Sequence, residues 1–219
     1  MHLFEAALAW EQVAEVATDD RRAPWRALAD EIAELALARF IDPANGALSE
    51  YFDLDWQPPE VTARRVEPGH QFEWSWLLHR WARVRQRPDV LQAARRLGAI
   101  GEAHGVDRRR QVAIDELDGT LCPTDPNARL WPQTERLKAA CAAWQDRPED
   151  QAQRGITDAA RGLMQYFLAA PVGLWNERQR ADGRFEADDV RASSLYHIVC
   201  AIDTLHTLVR APGEGVDNP

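Results

Sequence analysis

The sequence predicts an all-α protein whose helices pair into a toroid, and three observations carry that prediction. Apolar residues recur at three- and four-residue spacing in about seven stretches of the chain. No stretch shows the strand–crossover–strand pattern of a parallel sheet. The helical stretches pair without the short-period identity of a solenoid, which fits an α/α ring better. Residues 1–211 read as one unit, and the Gly- and Asp-rich stretch 212–219 reads as a frayed tail.

Taken in order, Met1 to about Thr18 places Leu3, Phe4, Ala7, Leu8 and Val13 on one helical face. A second helix is expected from Pro24, a residue suited to a first turn, to Phe40, with Ile32, Leu35, Ala36 and Phe40 as its stripe. Asn45-Gly46 marks a turn, and Ala47 to Trp56 reads as a short aromatic strand or irregular arm. Pro68-Gly69 introduces a strongly apolar helix from His70 to about Arg85. Another runs from Pro88 to about Ala103, stopped by Gly105. Arg110 to Asn127 is irregular, with a hairpin turn at Asp118-Gly119. Helices follow over Trp131–Trp144 and Pro148–Ala169. A second hairpin turns at Asp182-Gly183, and a last helix starts after Ser193 and ends near Val209.

Composition narrows the function. A net charge of −9 argues against a nucleic-acid partner, which needs a clustered basic surface. No apolar run is long enough to span a membrane, and the acidic N-terminus lacks the basic region of a signal peptide, so a cytoplasmic location is expected. Cys122, Cys141 and Cys200 show neither CxxC spacing nor even pairing and read as small hydrophobes. Lys138 is the only lysine. A Schiff-base mechanism would have to use it, although it lies among what read as ordinary core residues. The nine tryptophans fit either a core or a carbohydrate site, where an indole face stacks on sugar C–H bonds. There is neither a GxGxxG nor a P-loop to suggest a nucleotide.

Three of the six histidines head helices or stand near their starts. His70 follows Pro68-Gly69, with Glu73 three residues on, on the same face, where a carboxylate can hold the imidazole tautomer. His197 follows Ser193-Ser194, which read as N-cap candidates, and so falls within about one turn of a helix start. His2 and Glu5 repeat the His70/Glu73 spacing. These histidines lack the HxxxH or HExxH spacing of a zinc site, and no GxSxG marks a serine hydrolase. Trp131 and Glu135 share a face, reading either as packing plus an exposed acid or as a stacking indole beside a hydroxyl-binding carboxylate.

Four segments, MHLFEA (Met1–Ala6), PGHQFEWSWLL (Pro68–Leu78), RLWPQTERLKA (Arg129–Ala139) and SSLYHIVCAI (Ser193–Ile202), together resemble the N-acylglucosamine 2-epimerase family, which includes mannose isomerases and cellobiose 2-epimerases. The resemblance implies an (α/α)6 barrel with its site at the mouth of the inner helices. It matches His70 and His197 to the catalytic histidines and Glu73 to the acid beside the first. His2 matches a third active-site histidine, counted with Trp131 and Glu135 among the substrate-binding positions. The implied reaction is proton transfer at C2 of an open-chain hexose through an enediol, most readily mannose–fructose isomerisation. His197 is the expected principal base, and neither cofactor nor metal is implied.

Family members are about twice as long as these 219 residues, so the resemblance covers a C-terminal half. An open half-toroid with exposed helix faces, prone to self-association and weakly active alone, is the corresponding expectation. The rival readings are a non-catalytic sugar- or protein-binding module, an N-acylglucosamine or cellobiose 2-epimerase, and a glycosidase using Glu73 and Glu135 as its carboxylate pair.

Overall fold

Seven α-helices dominate the computed structural model, which describes residues 1–13, 19–187 and 189–210: α1 (His2–Val13), α2 (Asp19–Leu35), α3 (Pro68–Arg85), α4 (Pro88–His104), α5 (Leu130–Asp146), α6 (Asp150–Leu168) and α7 (Ala192–Arg210). Seven strands of two or three residues fill the connections: β1 (Arg65–Val66), β2 (Val106–Asp107), β3 (Val112–Ala113), β4 (Glu116–Asp118), β5 (Pro123–Asp125), β6 (Ala128–Arg129) and β7 (Arg178–Gln179).

Burial sorts the helices into two layers. Helices α3 and α5 are buried around almost their whole circumference. Helix α4 buries one stripe, Val90, Ala94, Leu97, Ile100 and Gly101, and α6 buries Ala159, Gly162, Leu163 and Tyr166. A helix with one apolar stripe covers a neighbour; one buried all round is covered on every side. The packing agrees: α2 lies on α1, α4 on α3 and α6 on α5, while α5 also touches α3 and α7. Inner helices α1, α3, α5 and α7 therefore alternate with outer helices α2, α4 and α6. One core gathers Phe4, Trp74, Leu77, Leu78, Trp81 and Leu97; another gathers Leu130, Leu137, Cys141, Tyr166 and Ile198.

Both expected hairpins form. Strands β4 and β5 pair antiparallel around Asp118-Gly119, with β1 on the other edge of β4, and the Asp118 carboxylate accepts from the Thr120 and Cys122 amides. The chain reverses again through Gly183 at φ +94°, so that Gln179 bridges Phe185. Helix α2 starts earlier than Pro24, which lies inside it, and its last turn widens into a π-helix over Ala36–Phe40. Ala47–Trp56 is the irregular arm, touching the fold through an Ile41–Leu48 bridge. Helix α7 starts at Ala192, so the serines lie in its first turn and His197 on its second. The expected frayed tail, 212–219, and the end of the first helix near Thr18 lie outside the described residues.

Candidate active site

The inner helices α3 and α5 begin alike. At the fourth residue of each, a buried glutamine clamps an extended segment by both backbone groups. Gln71 accepts from the Leu48 amide at 2.8 Å and donates to its carbonyl at 2.9 Å. Gln133 does the same to Ala113 at 2.7 and 2.9 Å. Each clamp satisfies main-chain groups on the helix-facing side of its segment, Ala113 pairing with Val106 and Leu48 with Ile41 on the other, so the segments above these helix ends are fixed. Two residues beyond each glutamine, Glu73 and Glu135 are buried at equivalent positions.

His70 enters the site from the first turn of α3, its side chain 22% exposed. Its Nδ1 lies 2.5 Å from Glu50 Oε2, with Glu67 at 3.9 Å. An ionised carboxylate can only accept, so Nδ1 carries the proton and Nε2 is the free nitrogen. Burial pulls the His70 pKa down, but the Glu50 hydrogen bond and the charges of Glu50, Glu67 and Glu73 outweigh it and raise the pKa. Trp131 lies beside it, ring centres 4.9 Å apart. Gly69 makes that approach feasible, because a Cβ there would come within 2.5 Å of the Trp131 ring. Arg129 stacks over the other part of the indole at 5.2 Å and is held by Asp115 at 2.9 Å and Glu67 at 2.8 Å.

His197 also lies against Trp131, ring centres 5.8 Å apart, its side chain 14% exposed. Its Nδ1 is 2.9 Å from Glu135 Oε1. Glu135 is fully buried, and its other oxygen lies 2.7 Å from Lys138 Nζ. Trp131 is thus flanked by two imidazoles, each anchored at Nδ1 by a carboxylate. His2 completes the group, 6.1 Å from the His197 ring and 3.9 Å from Glu73. At 69% exposure it marks the solvent side. Burial, the charge of His197 and the N-terminal amine push the His2 pKa down. Burial and the neighbouring Glu135 raise Glu73 to about 7, against the pull of Lys138, His70 and His197.

The six residues singled out from the sequence do converge, but two contacts differ from expectation. Glu73 does not anchor His70; that carboxylate is Glu50, twenty residues upstream. Residues i and i+3 share a helix face, yet the His70 ring turns out toward the loop while Glu73 is buried towards His2. Glu135 is enclosed and bonded to His197, so it is not free to meet a ligand hydroxyl. Lys138, read as one among core residues, is a buried ion-pair partner. Glu50 carried no spacing cue, since its partner comes through the fold. Among the other histidines, His79 is buried and bonded at Nδ1 to the Ser75 carbonyl, and His104 and His206 are exposed.

Donor atoms of His2, Glu5 and Glu73 lie within 4.8 Å of one another, as do those of Glu50, Glu67 and His70. The second set is already committed: Glu50 holds His70, and Glu67 pairs with Arg65 and Arg129. A cleft of about 530 Å³ between α4 and α6, lined by His79, Arg95, Glu102 and Arg136, shares no lining residue with the histidine site.

A ring of inner and outer helices with its polar residues gathered at one end of the inner layer defines part of an (α/α)6 barrel. Solved structures of the same fold include cellobiose 2-epimerase from Bacillus thermoamylovorans (TM-score 0.76, 17% identity, 95% of this chain and 52% of that one). A D-mannose isomerase is also similar (TM-score 0.75, 16% identity, 94% and 55%). The profile of the N-acylglucosamine 2-epimerase (GlcNAc 2-epimerase) family matches residues 1–201, and the chain belongs to that family. A protein of Rhizobium meliloti named mannose-6-phosphate isomerase is 49% identical over 214 residues, 96% of this chain and 54% of that protein. The chain therefore spans about half the length of the relatives it matches. No helix among the described residues is long and apolar enough to cross a membrane.

Proposed function

We propose that this chain carries the proton-transfer half of a hexose isomerase or 2-epimerase, with mannose–fructose interconversion as its reaction. One observation supports this above the others: two carboxylate-anchored imidazoles flank a single indole, at 4.9 and 5.8 Å between ring centres. The indole offers a stacking face to a sugar. The free Nε2 of His197 takes the C2 proton of the open-chain aldose, giving an enediol. His70, whose pKa is raised, donates to the carbonyl oxygen. Return of the proton to C1, with the O2 hydroxyl proton passing to the now neutral His70, yields the ketose; return to the opposite face of C2, with the O1 proton going back to His70, yields the epimer. His2, Trp131 and Arg129 border the substrate. The name of the Rhizobium relative makes mannose 6-phosphate the second substrate to try.

The glycosidase reading fares worse. It needs two carboxylates facing one sugar, yet Glu73 and Glu135 are both fully buried and Glu135 is bonded to Lys138 and His197. The test incubates the chain with mannose, and in parallel with mannose 6-phosphate, in deuterated water and follows the sugar by NMR. Fructose carrying deuterium supports the isomerase; glucose deuterated at C2 without fructose makes the protein a 2-epimerase. No exchange from folded protein with either sugar would overturn catalysis by this chain and favour a sugar- or protein-binding module. Self-association through the apolar faces of α1 and α7 is the partner expectation that accompanies this reading. The cytoplasm remains its expected location.

A further inference from the structure

We propose that Lys138 is a positioning residue, which keeps the fully buried Glu135 ionised so that His197 presents an unprotonated Nε2 to the pocket. Lys138 is the only lysine in the sequence and has no exposed side-chain area. Burying an ammonium is costly unless it is paired. Its Nζ lies 2.7 Å from Glu135 Oε2, 3.9 Å from Glu5 Oε1 and 3.8 Å from the centre of the Trp76 ring. The close contact to Glu135 lies outside hydrogen-bond alignment, so charge rather than a directed bond joins the pair. These neighbours of the ammonium are two carboxylates and an indole face, the partners a compact cation favours.

The consequence passes through one carboxylate. Glu135 has two oxygens: Oε2 faces Lys138, and Oε1 faces His197 Nδ1 at 2.9 Å. While Glu135 is ionised, Oε1 can only accept, the imidazole proton stays on Nδ1, and Nε2 keeps its lone pair. Without Lys138, a buried carboxylate would stand near a second one, Glu73. Taking up a proton relieves that, and a protonated Oε1 donates to Nδ1. The imidazole proton then sits on Nε2, and the base is lost. The charged and titratable groups around this pair are the Met1 amine with His2 and Glu5 at α1, Glu73, His70 and Arg80 from α3, and His197, Tyr196 and Cys200 from α7. Lys138 is thus a buried cation set among three buried carboxylates, Glu5, Glu73 and Glu135.

The kinetic arm of the test rests on the proton-transfer reading above; the spectroscopic arm does not. With ¹⁵N-histidine in the whole chain, and His197→Gln to assign the resonance, the tautomer of His197 is read directly. The wild type should show Nδ1–H, and Lys138→Met should show Nε2–H. In kinetics with mannose, Lys138→Met should lose at least thirtyfold in kcat with KM within threefold. Lys138→Met placed on Glu135→Gln should cost less than a further twofold, because the carboxylate it serves is gone. That double variant also carries no unpaired buried carboxylate at this position, which keeps the test open if Lys138→Met fails to fold. An unchanged His197 tautomer in folded Lys138→Met, or equal losses with and without Glu135, would overturn the proposal. A tautomer switch in a chain without turnover would uphold Lys138 while removing the isomerase reading.

Discussion

The two imidazole–carboxylate pairs differ in what balances the carboxylate. Glu135, which anchors His197, is itself paired with Lys138 inside one helix, so its charge is already answered. Glu50, which anchors His70, comes from the irregular arm and has His70 as its charged partner among the described residues, with Glu67 close by. The Glu50 hydrogen bond and charge, with Glu67 and Glu73 nearby, raise the His70 pKa; at His197 the carboxylate's other oxygen is taken by Lys138, and Oε1 fixes the ring through Nδ1. On the proposed reading, the same side chain, anchored at the same nitrogen, takes the acid's role at residue 70 and the base's role at residue 197.

The largest effects should come from removing the rings themselves. His197→Gln should abolish deuterium exchange at C2, a loss of about 10³-fold or more, within the range general acid–base groups supply. His70→Gln should lower product formation by about 10²-fold while slow exchange survives, because an acid can be partly replaced by water and the abstracting base cannot. Measuring exchange and turnover separately on both variants checks this; equal loss of exchange in both would erase the difference between the two pairs.

A smaller effect tests the anchors. Glu50→Gln removes the hydrogen bond and the charge that raise His70, so the alkaline limb of the rate should move to lower pH, with about tenfold lost near neutrality. A pH–rate profile of the variant is the check. An unmoved alkaline limb would mean that His70 is not the group that limits it.

These pairs also mark how far the sequence could be read. The helices were legible because their apolar spacing is local, and the hairpin turns because Asp-Gly is. The His70, Trp131 and His197 set was legible through motif resemblance, although no spacing links residues so far apart. Glu50 was not legible: its partner is brought by Gln71 clamping Leu48, a contact across 23 residues. The clamp recurs at Gln133 and Ala113 and relates α3 to α5 as structural repeats, yet only a Gln-x-Glu is shared in sequence, too little to stand out. The role of Lys138 was hidden for the opposite reason. Beside residues that read as ordinary core a single lysine carries no sign of its partner, and only the fold shows its ammonium buried against Glu135.

Stability should carry the same asymmetry. Glu73 has a folded pKa raised from 4.5 to about 7 by burial and by Glu135. For a group raised on folding, the folded state binds the proton more tightly. Stability is therefore full below 4.5 and declines as pH rises through about 7. His70 is raised too and adds in the same direction above 6.5. Glu11, Asp107 and Asp146 are lowered by arginine partners and act oppositely, costing stability only below about 4. His2 and His79 are lowered by burial and also act oppositely, up to about 6.5. Denaturant midpoints should thus fall between about pH 6.5 and pH 8, and Glu73→Gln should flatten that fall. A fall as steep in the variant would place the linkage elsewhere.

The smallest expected effect concerns the edges of the inner layer rather than its middle. Helices α3 and α5 are covered by neighbours, whereas α7 exposes Leu195, Val199, Ile202 and Val209, and α1 exposes Leu3, Trp10 and Val13. Apolar rows of this kind favour association when nothing else covers them. Sedimentation velocity should show a concentration-dependent shift toward a dimer, and Ile202→Glu should weaken it about tenfold, as expected when a charge replaces one apolar contact. Because Ile202 points away from His197's neighbours on α5, the variant should keep the His197 tautomer of the parent. A monomer at every concentration would show that these faces are tolerated in water by this chain, and would leave the chemistry of the two imidazole pairs independent of any partner.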